Sequence, residues 1–140
     1  MSLFFGDLCL RNVYGNAVKT YGQVSYDSAA EYGSPVDLLN LLFMGLTDAL
    51  IDAQRFLSQK KYTEKGLAIS KSQTILITLR HTLDFDVGGE LAINLDDLYA
   101  YCIKRLAEAH IQNDAVALRE VHSLMSELRD AWLQASRSAA

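Results

Sequence analysis

Pro35 is the only proline among 140 residues, and it stands where a helix would begin. With only eight glycines besides, the chain lacks the turn residues that a multi-turn all-β fold needs every dozen positions or so. No Val/Ile-rich strand runs alternate with helical patterns, so a parallel α/β fold is not expected either. Hydrophobic residues make up 50% of the chain and charged residues 21%. That is too apolar for a disordered protein. An all-α domain remains.

Local signals divide the domain. Ser34 is a good N-cap, because its hydroxyl can accept from an unpaired backbone N–H. Pro35 at the first helical position loses nothing by lacking a donor, and Asp37 stands where a capping-box acid would. Leu38, Leu39, Leu42, Leu46, Ala49, Leu50, Ala53 and Phe56 then recur at helical steps, which predicts a first helix to about Gln59. Gly45 inside it costs about 1 kcal/mol relative to alanine and reads as a site of close helix packing. Lys60 to Thr63 form the first connection, with Thr63 as the cap. Leu67, Ile69, Ile75, Leu76, Leu79 and Leu83 predict a second helix ending near Asp84, and residues 84–89 read as the clearest mid-chain turn.

Leu91, Leu95, Leu98, Tyr99, Cys102, Leu106 and Ala109 predict a third helix. Asn113-Asp114 reads as a stop and restart, since asparagine tolerates the left-handed conformation and aspartate can cap the next helix. Val116 or Leu118, then Val121, Leu124, Met125, Leu128 and Trp132, predict a fourth helix with Trp132 packed against the others. Short links force neighbouring helices to run antiparallel. The expected fold is an up-down four-helix bundle over residues 34–137.

Residues 1–33 differ. They hold Gly6, Gly15, Gly22 and Gly33 and Tyr14, Tyr21, Tyr26 and Tyr32, without a sustained helical period. They read as an amino-terminal arm, with one short amphipathic turn or two around Leu3, Phe4, Phe5, Leu8 and Cys9. Tyrosines are over-represented at interfaces because they bury much area at low entropy cost. Composition leaves Tyr21 and Tyr26 open to packing on the bundle or to partner contact.

A net charge of −4 and no basic cluster beyond Lys60-Lys61 speak against a nucleic-acid binder. No run of about 18 apolar residues exists, so no membrane span is expected. The apolar start lacks a basic leader and is broken by Gly6 and Asp7, which does not read as a secretory signal. Cys9 and Cys102, far apart, read as small buried hydrophobes. A cytoplasmic location is expected.

Catalytic patterns fail one by one. A di-iron bundle needs two Glu-x-x-His pairs, and His81, His110 and His122 each lack a glutamate three residues earlier. The Asp84-x-Asp86 stretch would need a glutamate at Leu95 to hold calcium. No phosphate-binding glycine pattern and no nucleophile elbow is present. The pairs Asp96-Asp97 and Asp48/Asp52 read as solvated helix faces. Neither an enzyme nor a cofactor is expected.

Five blocks in order resemble the flagellar export chaperone family FliS. They are Tyr21-Gly22-Gln23-Val24 ahead of Ser34-Pro35, residues 41–46 (LLFMGL), residues 88–101 (GGELAINLDDLYAY), residues 105–109 (RLAEA) and residues 128–132 (LRDAW). Together they span roughly residues 17 to 135. Departures are the apolar extension 1–15, Met44 in place of an acid usual in the family, and Lys71-Ser72 in place of a Lys-Ala pair. The resemblance implies an antiparallel four-helix bundle that binds the carboxy-terminal segment of flagellin, keeps it unpolymerised and delivers it to the flagellar export gate. It also likens Val18 and Tyr21, spaced i, i+3, to a short element through which relatives contribute to recognition of that gate. The partner-binding residues expected are Val18, Tyr21 and Tyr26. A divergent adaptor for another secretion client or regulator is the alternative.

Overall fold

The computed structural model describes residues 35–138, which form α1 (Pro35–Ser58), α2 (Tyr62–His81), α3 (Phe85–Gln112) and α4 (Ala115–Ser138). The arm 1–33, Ser34 and Cys9 lie outside the described residues. α1 buries Leu39, Phe43, Leu46, Leu50 and Ala53, alternating steps of four and three that hold one stripe inward. α3 does the same with Ala92, Leu95, Tyr99, Cys102, Leu106 and Ala109. α4 contributes Leu118, Val121, Met125, Trp132 and Ala135. Leu118, not the exposed Val116, carries the repeat. The Trp132 ring is buried and its centroid lies 6.4 Å from that of Phe43, as its phase in the fourth helix requires.

Each helix packs on its chain neighbours, and α4 closes the ring on α1. Gln73 meets Ile103 and Arg80 meets Asp96 across α2 and α3, one number falling as the other rises. Thr47 meets Arg129 and Phe43 meets Trp132 between α1 and α4. Tyr101 and Arg105 meet Glu120 between α3 and α4. The expected antiparallel up-down bundle is the observed fold.

Three boundaries differ from expectation. α1 leaves through Lys60 at φ 58°. Lys61 N–H then donates to Phe56 O at 2.9 Å and Lys60 N–H to Leu57 O at 3.0 Å. That Schellman closure satisfies the last carbonyls and lets α2 restart at once at Tyr62. Thr63 is therefore inside the first turn and caps nothing. α2 stops at His81, because Asp84 belongs to α3. Its Oδ1 accepts from Asp86 N–H and Val87 N–H at 3.1 Å each, capping that helix. Leu83 extends the apolar repeat and is buried, yet it sits in the connection. The expected turn over 84–89 shrinks accordingly, and the irregularity falls at Gly89. With φ 54° and ψ −129°, Gly89 kinks α3 in a region open essentially to glycine alone.

Asn113 ends α3 in the left-handed conformation, and Asp114 Oδ1 accepts from Val116 N–H and Ala117 N–H. The stop and restart are as expected. α1 runs through Gly45 unbroken. A Cβ there would lie 3.5 Å from Ile75 Cδ1, an ordinary contact, so the helices do not demand glycine at this position.

Candidate partner-binding surface

Among the described residues no group of three or more His, Cys, Asp or Glu side chains could hold a metal ion. His122 and Ser126 approach at 3.4 Å one helical turn apart on α4. Cys102 is fully buried, and that burial pushes its thiol up to about 12. It is a small hydrophobe, as expected.

What the bundle does present is apolar surface. α2 distributes apolar residues around its whole circumference. Its inner stripe of Lys65, Ile69, Ser72, Leu76 and Leu79 is buried. Leu67, expected in the core, is 68% exposed, and Ile77 is 43% exposed. Leu67 lies about half a turn from the buried Ile69 and Leu76 (100° per residue), so it cannot share their stripe.

Helical phase places the outer residues against α3. Ile77 is four residues after Gln73 and three before Arg80, both of which bond to α3, so it shares their face. Ile93 is three before Asp96, and Ala100 and Ala107 flank Ile103 in the same way. At the far end a Cβ on Gly66 would come within 3.0 Å of His110 Cε1. The neighbours in sequence of these two residues, Leu67 and Ile111, are 68% and 79% exposed. The α2–α3 seam is thus bordered by Ile77, Ile93 and Ile111, with small residues between, while Leu67 lies about 120° around α2 from Gln73 and is exposed away from α3. Such a strip can accept the apolar stripe of another helix without any chemistry.

The polar contacts beneath and beside the seam are structural. Arg80 Nε and one terminal nitrogen donate to the two Asp96 oxygens at 2.7 and 3.2 Å, a bond that raises the guanidinium pKa. Lys65 is 2% exposed. Its ammonium donates to His110 O at 3.0 Å and to Asn113 Oδ1, and lies 5.5 Å from the Tyr62 ring centroid. Burial lowers its pKa. Between α3 and α4, Arg105 lies within 4 Å of Glu108, Asp114 and Glu120.

Val18, Tyr21 and Tyr26 lie outside the described residues, so none of them is placed on this surface. Sequence reasoning missed Ile77, Ile93 and Ile111. The signal was present as surplus: apolar residues on helical phases that a single buried stripe does not use.

The family described as flagellar protein FliS matches residues 17–139, which includes the arm from Val18 onward and all four helices. The chain is 43% identical to the flagellar secretion chaperone FliS of Salmonella typhimurium over 125 residues, covering 89% of this chain and 93% of that protein. It is 40% identical over 116 residues to the flagellar secretion chaperone FliSB of Pseudomonas aeruginosa, covering 83% of this chain and 92% of that one. It is 30% identical over 123 residues to the flagellar secretion chaperone FliS of Bacillus subtilis, with 88% of each chain covered. These relatives are named as chaperones and not as enzymes. The chain belongs to the FliS family of flagellar proteins.

Proposed function

We propose that this chain is a cytoplasmic export chaperone that binds the carboxy-terminal segment of flagellin, prevents premature polymerisation and delivers the client to the flagellar export gate. The relatives' name, flagellar secretion chaperone, supports the role. The observation that carries it is the set of exposed apolar side chains on α2 and α3, with Ile77, Ile93 and Ile111 bordering one interhelical seam and Leu67 exposed beside it. An unassembled amphipathic segment of the client would otherwise associate with itself. A bundle with a second apolar face covers that stripe and needs no catalytic group. Val18, Tyr21 and Tyr26 of the arm are assigned to partner contact, the first two at the export gate.

The test is calorimetry and co-elution with intact flagellin and with flagellin lacking its carboxy-terminal segment. A 1:1 complex with the first and none with the second is the expected result. Absence of binding to intact flagellin would transfer the surface to a different secretion client or regulator.

A further inference from the structure

The α1–α4 seam, on the side of the bundle opposite α2–α3, carries an apolar strip that client binding at α2–α3 does not use. Arg129 donates across it to Thr47 Oγ1 at 3.0 Å. Met44 and Ile51, three before and four after Thr47, share that face of α1 and are 43% and 49% exposed. Leu133, four after Arg129 and half-buried, borders the strip from α4. Met44 and Ile51 are two turns apart, about 10 Å, and exposed Asp48 lies between them on the same face.

The chain itself supplies a segment of that size. Residues 1–16 precede the stretch that matches the family. Within them Phe4, Phe5, Leu8 and Cys9 fall at i, i+1, i+4 and i+5, the spacing of one apolar helix face. Such a face is about 8 Å long from Phe4 to Cys9, close to the length of the strip. Gly6 and Asp7 fall off it, and Arg11, three past Leu8, falls at its edge with a charge opposite to that of Asp48. Met44 lies about 14 Å along α1 from Pro35. The chain between Leu8 and Pro35, which can extend about 3.3 Å per residue, spans that distance several times over. The α2–α3 seam fits this segment less well. Its Ile93 and Ile111 lie about 27 Å apart along α3, so a face this short covers one end and leaves the other bare.

We propose that the segment around Phe4, Phe5, Leu8 and Cys9 docks as a short helix on the α1–α4 seam, over Met44 and Ile51. A helix of that length is marginal alone, so its packing on α1 and α4 is what holds it. The arm then becomes a loop fixed at both ends, with Val18, Tyr21 and Tyr26 between the docked segment and α1, and the α2–α3 seam stays open. The proposal does not rest on the identity of the client.

Cys9 provides the test. Met44→Cys, Ile51→Cys and Ile93→Cys are made singly in the full chain, each at an exposed position, and each protein is treated with a mild oxidant. Cys102 is fully buried and stays out of the reaction. Peptide mapping should find a disulfide within one chain from Cys9 to position 44 or 51, and little or none to position 93. In the parent chain, peroxide oxidation of Met44 should be severalfold slower than in a Phe4→Ser, Phe5→Ser, Leu8→Ser triple variant, with the buried Met125 as internal reference. A preferred link to position 93 overturns the proposal by placing the segment on the α2–α3 side. Links between chains overturn it by giving the strip to a second copy. Absence of any link, or equal Met44 oxidation in parent and triple variant, overturns it as well.

Discussion

The Lys65 ammonium donates across the α2–α3 seam to the backbone carbonyl of His110, at 3.0 Å, and so closes the carboxy end of a helix 45 positions further along the chain. Asn113, whose left-handed backbone ends α3, offers its side-chain oxygen to the same ammonium. One buried cation thereby ties the start of α2 to the α3–α4 turn, where the negative end of the α3 dipole favours it. Lys65→Met fills the space but leaves the part-buried His110 carbonyl without this donor, while the exposed Asn113 can turn its amide to water. An unsatisfied buried acceptor costs about 1–3 kcal/mol, so the urea midpoint should fall accordingly. An unchanged midpoint would mean that desolvation of the ammonium cancels its hydrogen bonds.

Two glycines predict opposite signs. Gly89 holds φ 54°, so Gly89→Ala is strained whatever space surrounds it; the expected loss is about 1–3 kcal/mol. Gly45→Ala places its methyl in ordinary contact with Ile75 and removes the entropy cost of a mid-helix glycine. It should raise stability by up to about 1 kcal/mol. Thermal unfolding of both variants checks the pair.

Trp132 is 2% exposed beside Phe43. Trp132→Ala should cost about 3–5 kcal/mol, read from denaturant unfolding. A midpoint within error of the parent would mean that α4 is turned on its axis.

Cys102 has its thiol pKa raised by burial from the ordinary 9.0 to about 12. In a Cys9→Ser background this thiol should resist a disulfide reagent in native buffer and react at once in denaturant. The folded state holds this proton more tightly than the unfolded state. Its contribution to stability is therefore complete below pH 9 and is lost as pH rises from 9 towards 12. Cys102→Ala should flatten that alkaline limb of the stability curve.

For the arm, the Val18→Ala, Tyr21→Ala double variant should melt within a few degrees of the parent and still bind flagellin, while losing export-gate binding and motility. A large fall in melting temperature together with lost flagellin binding would assign both side chains to the fold instead.

The bundle is legible because α1, α3 and α4 repeat their apolar residues at alternating threes and fours, a pattern that fits one buried stripe and nothing else. α2 defeats the same test. With Leu67, Ile75 and Ile77 spread over different phases, periodicity alone cannot choose which of them turns inward, and it puts Leu67 on the wrong side. Lys65 is invisible to it for a different reason. A charged residue enters a core only when partners are supplied, and its partners come from the far end of α3. Asp84 is locally ambiguous, since Leu83 prolongs the α2 repeat and only the bonds to Asp86 and Val87 assign the aspartate to α3.

The double-sided build of α2 separates two kinds of change. Residues at its inner phases answer to the bundle, and Leu76 or Leu79 cannot be altered without opening the core. Leu67 and Ile77 answer mainly to whatever lies on them, because much of each side chain is already in water. A chaperone made this way can hold a client and let it go without loosening its own packing. Its outer face can also be recut for a client of different shape while the scaffold underneath stays as it is.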